Sequence, residues 1–195
     1  EGRVASIDTQ LDNLSSSVPI VSQIDYEPFG PRASMGFGNQ LALSQSFDLD
    51  YRLLDRGVSD TSSIEDNSYL YDGVNNILQI IDNLSLADSK TFAYDRINRL
   101  TDASGTFGDI LYSYDPVGNR TQRAINVNNV ARIDDYNYDA SSNRLLSIDS
   151  GTSLRLFNYD SFGNIILDSR SLNNGVILGY DVDQRLSTVS AEQGN

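Results

Sequence analysis

One pattern constrains this chain more than any other: an aromatic residue followed at once by an acid, written eight times. The pairs are Tyr26-Glu27, Phe47-Asp48, Tyr71-Asp72, Tyr94-Asp95, Tyr114-Asp115, Tyr138-Asp139, Tyr159-Asp160 and Tyr180-Asp181. The steps between them are 21, 24, 23, 20, 24, 21 and 21 residues. Four residues after each aromatic stands Gly30, Tyr51, Asn75, Asn98, Gly118, Ser142, Gly163 or Gln184, and five of these eight are Gly or Asn. A period in this range is the mark of a repeat architecture, in which each unit stacks on the next.

The spacing has a physical reading in turn chemistry. Asp suits the first position of a type I turn because its carboxylate can accept a backbone N–H two residues on. Gly, and then Asn, best tolerates the left-handed conformation that the fourth position requires. Pro28 and Pro116 occupy the second position, where their fixed φ fits. Tyr-Asp-x-x-Gly therefore predicts the tip of a hairpin that leads into a bulge. Tyr71, Asp72, Tyr94, Asp95, Tyr114, Asp115, Gly118, Tyr138, Asp139, Tyr159, Asp160, Gly163, Tyr180 and Asp181 are thus expected as structural turn residues.

The flanks alternate with period two, as in Phe92/Tyr94, Tyr112/Tyr114, Tyr136/Tyr138, Phe157/Tyr159 and Leu178/Tyr180, which is the signature of strands. "NNILQIIDNL" (75–84) has helix-like spacing, but its place just after a repeated turn predicts a strand, and no helix is expected. A second, variable turn joins successive hairpins, as at 102–109 ("DASGTFGD"), 149–153 ("DSGTS") and 173–175 ("NNG"). The expected fold is all-β, with repeated antiparallel hairpins and about sixteen short strands in one long sheet. A sheet of that length twists and curls.

Composition removes whole classes of chemistry. The chain has no His, no Cys and no Trp. That excludes disulfides, thiol nucleophiles, His-dependent triads and ordinary zinc sites. The net charge of −13 opposes binding to a nucleic-acid backbone or to an anionic membrane surface, and no apolar run is long enough for membrane insertion. Acid pairs such as Asp48/Asp50 and Asp181/Asp183 match neither a calcium loop nor a unique carboxylate pair. No catalytic, cofactor-binding or metal residue is assigned, and no cofactor is expected. Asn13-Leu14-Ser15, Asn83-Leu84-Ser85 and Asn119-Arg120-Thr121 match the glycosylation acceptor pattern.

Residues 1–25 read as the second half of a truncated repeat plus a connection, because Gly2-Arg3-Val4 matches Gly163-Asn164-Ile165 and Asn98-Arg99-Leu100. Eight repeats fill 26–195. With no atypical capping repeat at either end, the expectation is a piece of a larger protein.

"YDPVGNRTQ", "YDSFGNIIL", "YDRINRLTD" and "FDLDYRLLD" resemble the YD repeat of the RHS family, and Tyr26 to Leu53 resembles a segment common in bacterial members. The family includes bacterial polymorphic toxins, encapsulating subunits of insecticidal toxin complexes, and teneurins. The resemblance implies a β-sheet strip wound as part of a hollow shell around a toxin or other polypeptide cargo. It implies neighbouring repeats as partners and a secreted or cell-surface location. The family's C-terminal core segment has no counterpart here, so no self-cleavage residues carry over. An extracellular adhesion or glycan-binding module is the alternative. A filament built by self-association through open sheet edges is another.

Overall fold

Antiparallel hairpins follow one another along the described residues. The computed structural model describes residues 2–10, 12, 16–169 and 175–191. Two compact units divide it, Glu1–Thr106 and Phe107–Asn195. The first contains β1 (Ile7–Thr9), β2 (Val18–Tyr26), β3 (Arg32–Phe37), β4 (Ala42–Phe47), β5 (Leu53–Ser59), β6 (Ser63–Tyr71), β7 (Ile77–Asp82), β8 (Lys90–Tyr94) and β9 (Leu100–Gly105). The second contains β10 (Gly108–Tyr114), β11 (Arg120–Val127), β12 (Val130–Tyr138), β13 (Leu145–Asp149), β14 (Leu154–Tyr159), β15 (Ile165–Ser169), β16 (Gly175–Tyr180) and β17 (Leu186–Ala191). Within each unit every strand pairs antiparallel with its chain neighbour. The fold is all-β and built of repeated antiparallel hairpins.

The stretch 75–84 supplies β7. The one helical feature among the described residues is a single 3-10 turn, Leu86–Asp88. It forms where Asp82 accepts the N–H groups of Leu84 and Ser85, both at 2.9 Å, which bends the chain at the end of β7. The second turns are shorter than the sequence suggested. β9 continues to Gly105 and β10 begins at Gly108, so most of 102–109 is strand. The "DSGTS" turn closes with Ser150 N–H donating to the Ser153 carbonyl at 3.0 Å. Residues 173 and 174 of "NNG", and Asn13-Leu14-Ser15, lie outside the described residues.

Period two gives each unit two unlike faces. In the first unit, Ser46, Asp55 and Ser68 lie side by side on β4, β5 and β6. The Asp55 carboxylate accepts both hydroxyls, at 2.7 and 2.8 Å. Asn83 continues the row by donating to Ser68 Oγ at 3.0 Å. The opposite face carries Leu43, 3% exposed, against Val58. In the second unit, Tyr112, Arg123 and Asp134 align across β10, β11 and β12. Tyr136, Ile148 and Arg155 form the next row, across β12, β13 and β14.

The core is thin. Among the described residues the buried apolar side chains are Leu43 and Ala103 in the first unit and Tyr136 and Phe157 in the second, where one charged group, Asp134, is also buried at 1% exposed. Contacts run between strands adjacent in sequence, so each hairpin is held mainly by its neighbours, as in other repeat proteins. No helix among the described residues is long and apolar enough to cross a membrane.

Glycine placement gives a test of this architecture. Gly118 has φ +101 with open space where a Cβ would stand, whereas Gly108 has φ +94 and its Cβ would strike the Asn126 carbonyl. Gly118→Ala should therefore cost about 1 kcal/mol, from the left-handed conformation alone. Gly108→Ala should cost roughly 3 kcal/mol, because a backbone group of β11 must also move. Urea unfolding of both variants checks the order.

Candidate functional site

Polar side chains recur at the same places in the repeated turn. In Asp72 the carboxylate Oδ1 accepts the N–H groups of Val74 and Asn76, both at 2.9 Å. Its Oδ2 accepts Asn76 Nδ2 at 2.8 Å. The backbone closes the same loop twice: Asp72 N–H donates to the Asn76 carbonyl at 3.0 Å, and Asn75 N–H to the Asp72 carbonyl at 3.4 Å. Asp115 and Asp160 are bound in the same way by Asn119 and Asn164. Asp48 and Asp95 take an arginine Nε in place of the amide, from Arg52 at 2.6 Å and Arg99 at 2.7 Å. Asp181 accepts the N–H groups of Asp183 and Arg185 at 2.9 and 3.0 Å.

A left-handed residue follows in every turn. It is glycine in two turns, at Gly118 and Gly163. Asn75, Asn98, Tyr51 and Gln184 take the same conformation, with φ between 60 and 75°. A bulge then falls at each aromatic, and Tyr71, for example, pairs with Ile77 beyond a register shift.

Two turns differ from the spacing rule. At 138–144 the left-handed residue is Asn143 and not Ser142. This loop is one residue longer, with Asp139 N–H donating to the Arg144 carbonyl at 2.8 Å, so Asp139 spends its carboxylate on Ser141. At 26–31 the left-handed residue is Phe29, φ 58, and not Gly30. Pro31 has no N–H to offer the acid, and a Pro-led turn of type II places positive φ one position earlier. Gly30 is needed for space instead: a Cβ there would strike the Tyr51 ring, whose hydroxyl bonds the Pro28 carbonyl.

Two kinds of side chain tie turns to adjacent repeats. The first is the tyrosine hydroxyl, which donates to a backbone carbonyl of the preceding repeat. Tyr71 reaches Leu53 at 2.8 Å, Tyr94 reaches Ile77 at 2.9 Å, and Tyr26 reaches Val4 at 3.0 Å. Tyr138 reaches Arg120 at 3.1 Å, Tyr159 reaches Leu145 at 2.8 Å, and Tyr180 reaches Ile165 at 3.1 Å. The second is the Asn or Arg just after the left-handed residue. Arg52 reaches Asn75 at 2.9 Å, Asn76 reaches Asn98 at 2.9 Å, and Asn119 reaches Asn143 at 3.2 Å. Arg3 plays this part toward the first full turn, donating to the Glu27 and Gly30 carbonyls, both at 3.0 Å. Its guanidinium stacks on Tyr26, as Arg52 does on Tyr71.

The electrostatics follow from this bonding. Bonds from the Arg99 N–H and guanidinium hold the Asp95 carboxyl below its usual range. The Asn164 amide does the same for Asp160. For Asp72, partial burial opposes ionisation, but the bonds from Asn76 and Val74 outweigh it. Asp48 and Asp181 are thus turn acceptors, and among the described residues no group of three or more acids is placed to hold a metal ion.

Sequence reading missed two features. One is a row of bare apolar side chains at the turn tips, namely Phe29, Leu49, Val74 and Ile97 in the first unit and Val117, Phe162 and Val182 in the second. Their signal was present as the hydrophobic residue one or two places after the acid. The other is the Asp134 cluster. Asp134 lies within β12, where it accepts Arg123 Nη2 at 2.5 Å and Arg132 Nε at 2.8 Å. Its neighbour Asp135 points to the other face and takes the Gln122 amide at 2.9 Å. Only the register of β11 on β12 brings Arg123 to Asp134, and no local motif marks it.

No family model matches the chain, and no curated protein sequence matches it. Solved structures do. The TcdB2-TccC3 crystal structure superposes with a TM-score of 0.70 over 98% of this chain, at 17% identity. The fold is that of a segment of the TcdB2-TccC3 chain. The TcdB2-TccC3-Cdc42 structure gives a TM-score of 0.69 at 18% identity, again over 98% of this chain. The Photorhabdus luminescens Tc holotoxin pore with the TccC3-D651A mutation gives 0.65 at 17% identity over 93%. This chain spans only 11–12% of the length of those chains. The RHS resemblance read from the YD pairs and these Tc toxin structures converge on one fold.

The turn chemistry makes two predictions. Tyr71→Phe removes one hydroxyl bond to the Leu53 carbonyl and should cost about 1 kcal/mol in urea unfolding. The turn acids predict the response to pH. The pKa values of Asp48, Asp72, Asp95, Asp115, Asp139 and Asp160 are depressed on folding, so their contribution is complete above the unfolded value near 4 and fades as pH falls through the folded values. Thermal melts in about 0.5 M salt, which screens general repulsion, should show stability falling below about pH 4. A flat or rising profile there would contradict the turn role of these acids.

Proposed function

We propose that this chain is a length of RHS-type shell wall that encloses a polypeptide cargo, such as a toxin, for delivery outside the producing cell. The observation that carries the reading is that the repeated acid and tyrosine are occupied in building. The turn aspartates accept N–H groups of their own loops, and tyrosine hydroxyls bond the preceding repeat. What looks like eight copies of a chemical motif is eight copies of a joint, and the wall in this reading performs no catalysis. The Tc toxin fold and the RHS resemblance support the same role. The apolar turn tips suit a wall whose edge lies against further parts of a larger assembly.

The test uses the full-length product of the parent gene. Limited proteolysis of the native protein should spare an internal segment that is cleaved at once after denaturation, and electron microscopy should show a closed shell with internal density. A solid or filamentous particle with no protected segment would overturn the reading. Specific hits for the native protein on a glycan array would favour an adhesion module instead.

A further inference from the structure

The chain has a net charge of −13 and only 14 cationic side chains, yet four of them line one depression of about 400 Å³ in the second unit. These are Arg120, Arg123, Arg132 and Arg155, and the depression also contains Asp134 and Tyr136. Asp134 supplies two acceptor oxygens to two guanidinium forks: Arg123 donates Nε and Nη2 at 3.0 and 2.5 Å, and Arg132 donates Nε and Nη2 at 2.8 and 3.0 Å. Arg155 donates Nε and Nη2 to Asp168 at 2.6 and 2.5 Å. Arg120 stacks on Tyr112 and Tyr136, with its guanidinium carbon 5.5 and 4.4 Å from the ring centres.

Two carboxylates against four guanidinium groups leave a local surplus of two positive charges. Donors are also in surplus. A guanidinium carries five N–H donors, and among the described residues the Nη1 groups of all four arginines make no hydrogen bond. Arg120 Nε is buried with no partner at all. Arg132 remains more than half exposed at its side chain, and Arg155 is 37% exposed, so a ligand has access. Planar forks at fixed angles favour planar bidentate acceptors. Apolar Ile148 and the Tyr136 ring in the lining favour a ligand with a carbon stem behind its charge.

We propose that this arginine cluster binds a carboxylate-bearing, acidic segment of a polypeptide. The proposal rests on the shell-wall reading, in which a polypeptide lies against the wall, and it adds the chemistry of one contact. The surrounding protein is strongly acidic and repels such a segment elsewhere, so the cluster would act as a local anchor.

Fluorescence anisotropy with the 195-residue chain and a labelled hexaglutamate peptide tests it. Binding is expected to weaken with salt, and a hexalysine or hexaserine peptide should not bind. Arg132→Gln, which leaves Arg123 on Asp134, should weaken binding roughly tenfold through loss of one charged hydrogen-bonding group. Arg56→Gln, outside the depression, should leave it unchanged. If Arg132→Gln alters the circular dichroism spectrum, amide hydrogen exchange of the unmodified chain replaces it, and peptide should protect β11 to β14. Equal binding of all three peptides, indifference to Arg132→Gln in a folded variant, or protection elsewhere would overturn the proposal. Displacement by equimolar phosphate would also overturn it, in favour of a simple anion site. Failure here would leave protection of cargo untouched, because that is read by proteolysis and microscopy.

Discussion

The fold depends on a carboxylate that closes its own loop. A hairpin of five- to nine-residue strands is marginal in water when it stands alone. The described core offers it few deeply buried apolar side chains. The turn must then supply its own order. Asp at the first position does this by accepting N–H groups two and four residues on, while the side chain of that fourth residue fills its second oxygen. Those N–H groups face into a tight loop, where they would otherwise lack protein partners. The left-handed residue and the bulge follow geometrically, because the chain must leave the loop in register with the strand it came from.

Order within one turn does not yet make a sheet of many hairpins. That comes from the tyrosine hydroxyl and the Asn or Arg that cross to an adjacent repeat. Their partners lie 14–24 residues away in sequence, so loop closure costs little for each new repeat. Such a chain behaves as a row of units with nearest-neighbour coupling, able to nucleate at any well-formed repeat and grow outward. Phe47 shows the limit of the scheme. It keeps the ring and lacks the hydroxyl, so its repeat relies more on Arg52, which binds both its own turn acid and the next turn.

Local order was legible in the sequence and lateral order was not. The eight YD-type pairs fall at the ends of β2, β4, β6, β8, β10, β12, β14 and β16, since turn chemistry is written in adjacent residues. The YD spacing misjudged Ser142 and Gly30, because insertion of one residue and the presence of Pro31 move the left-handed position. It gave no role to the Asn or Arg after that position, although Arg52, Asn76 and Asn119 bridge repeats. The Asp134 cluster was invisible for a deeper reason. Arg123 and Asp134 meet only through strand register, and a register shift of one residue would send each to the opposite face.

That cluster also explains how a thin sheet can bury a charge. Removing a carboxylate from water is costly unless its lone pairs are filled, and four N–H bonds fill those of Asp134. The arginines do further work with their stems and faces, since Arg120 covers Tyr136 and Arg155 covers Phe157. A leucine could cover those rings but could not also bond a carboxylate on the next strand. Arg155 does both, covering Phe157 while it bonds Asp168 on β15, and its outer edge stays in water. In a protein with few apolar side chains to spare, this makes a core from ion pairs and ring stacks. The outward donors that remain are a direct consequence, because no arrangement of two carboxylates can satisfy four guanidinium groups.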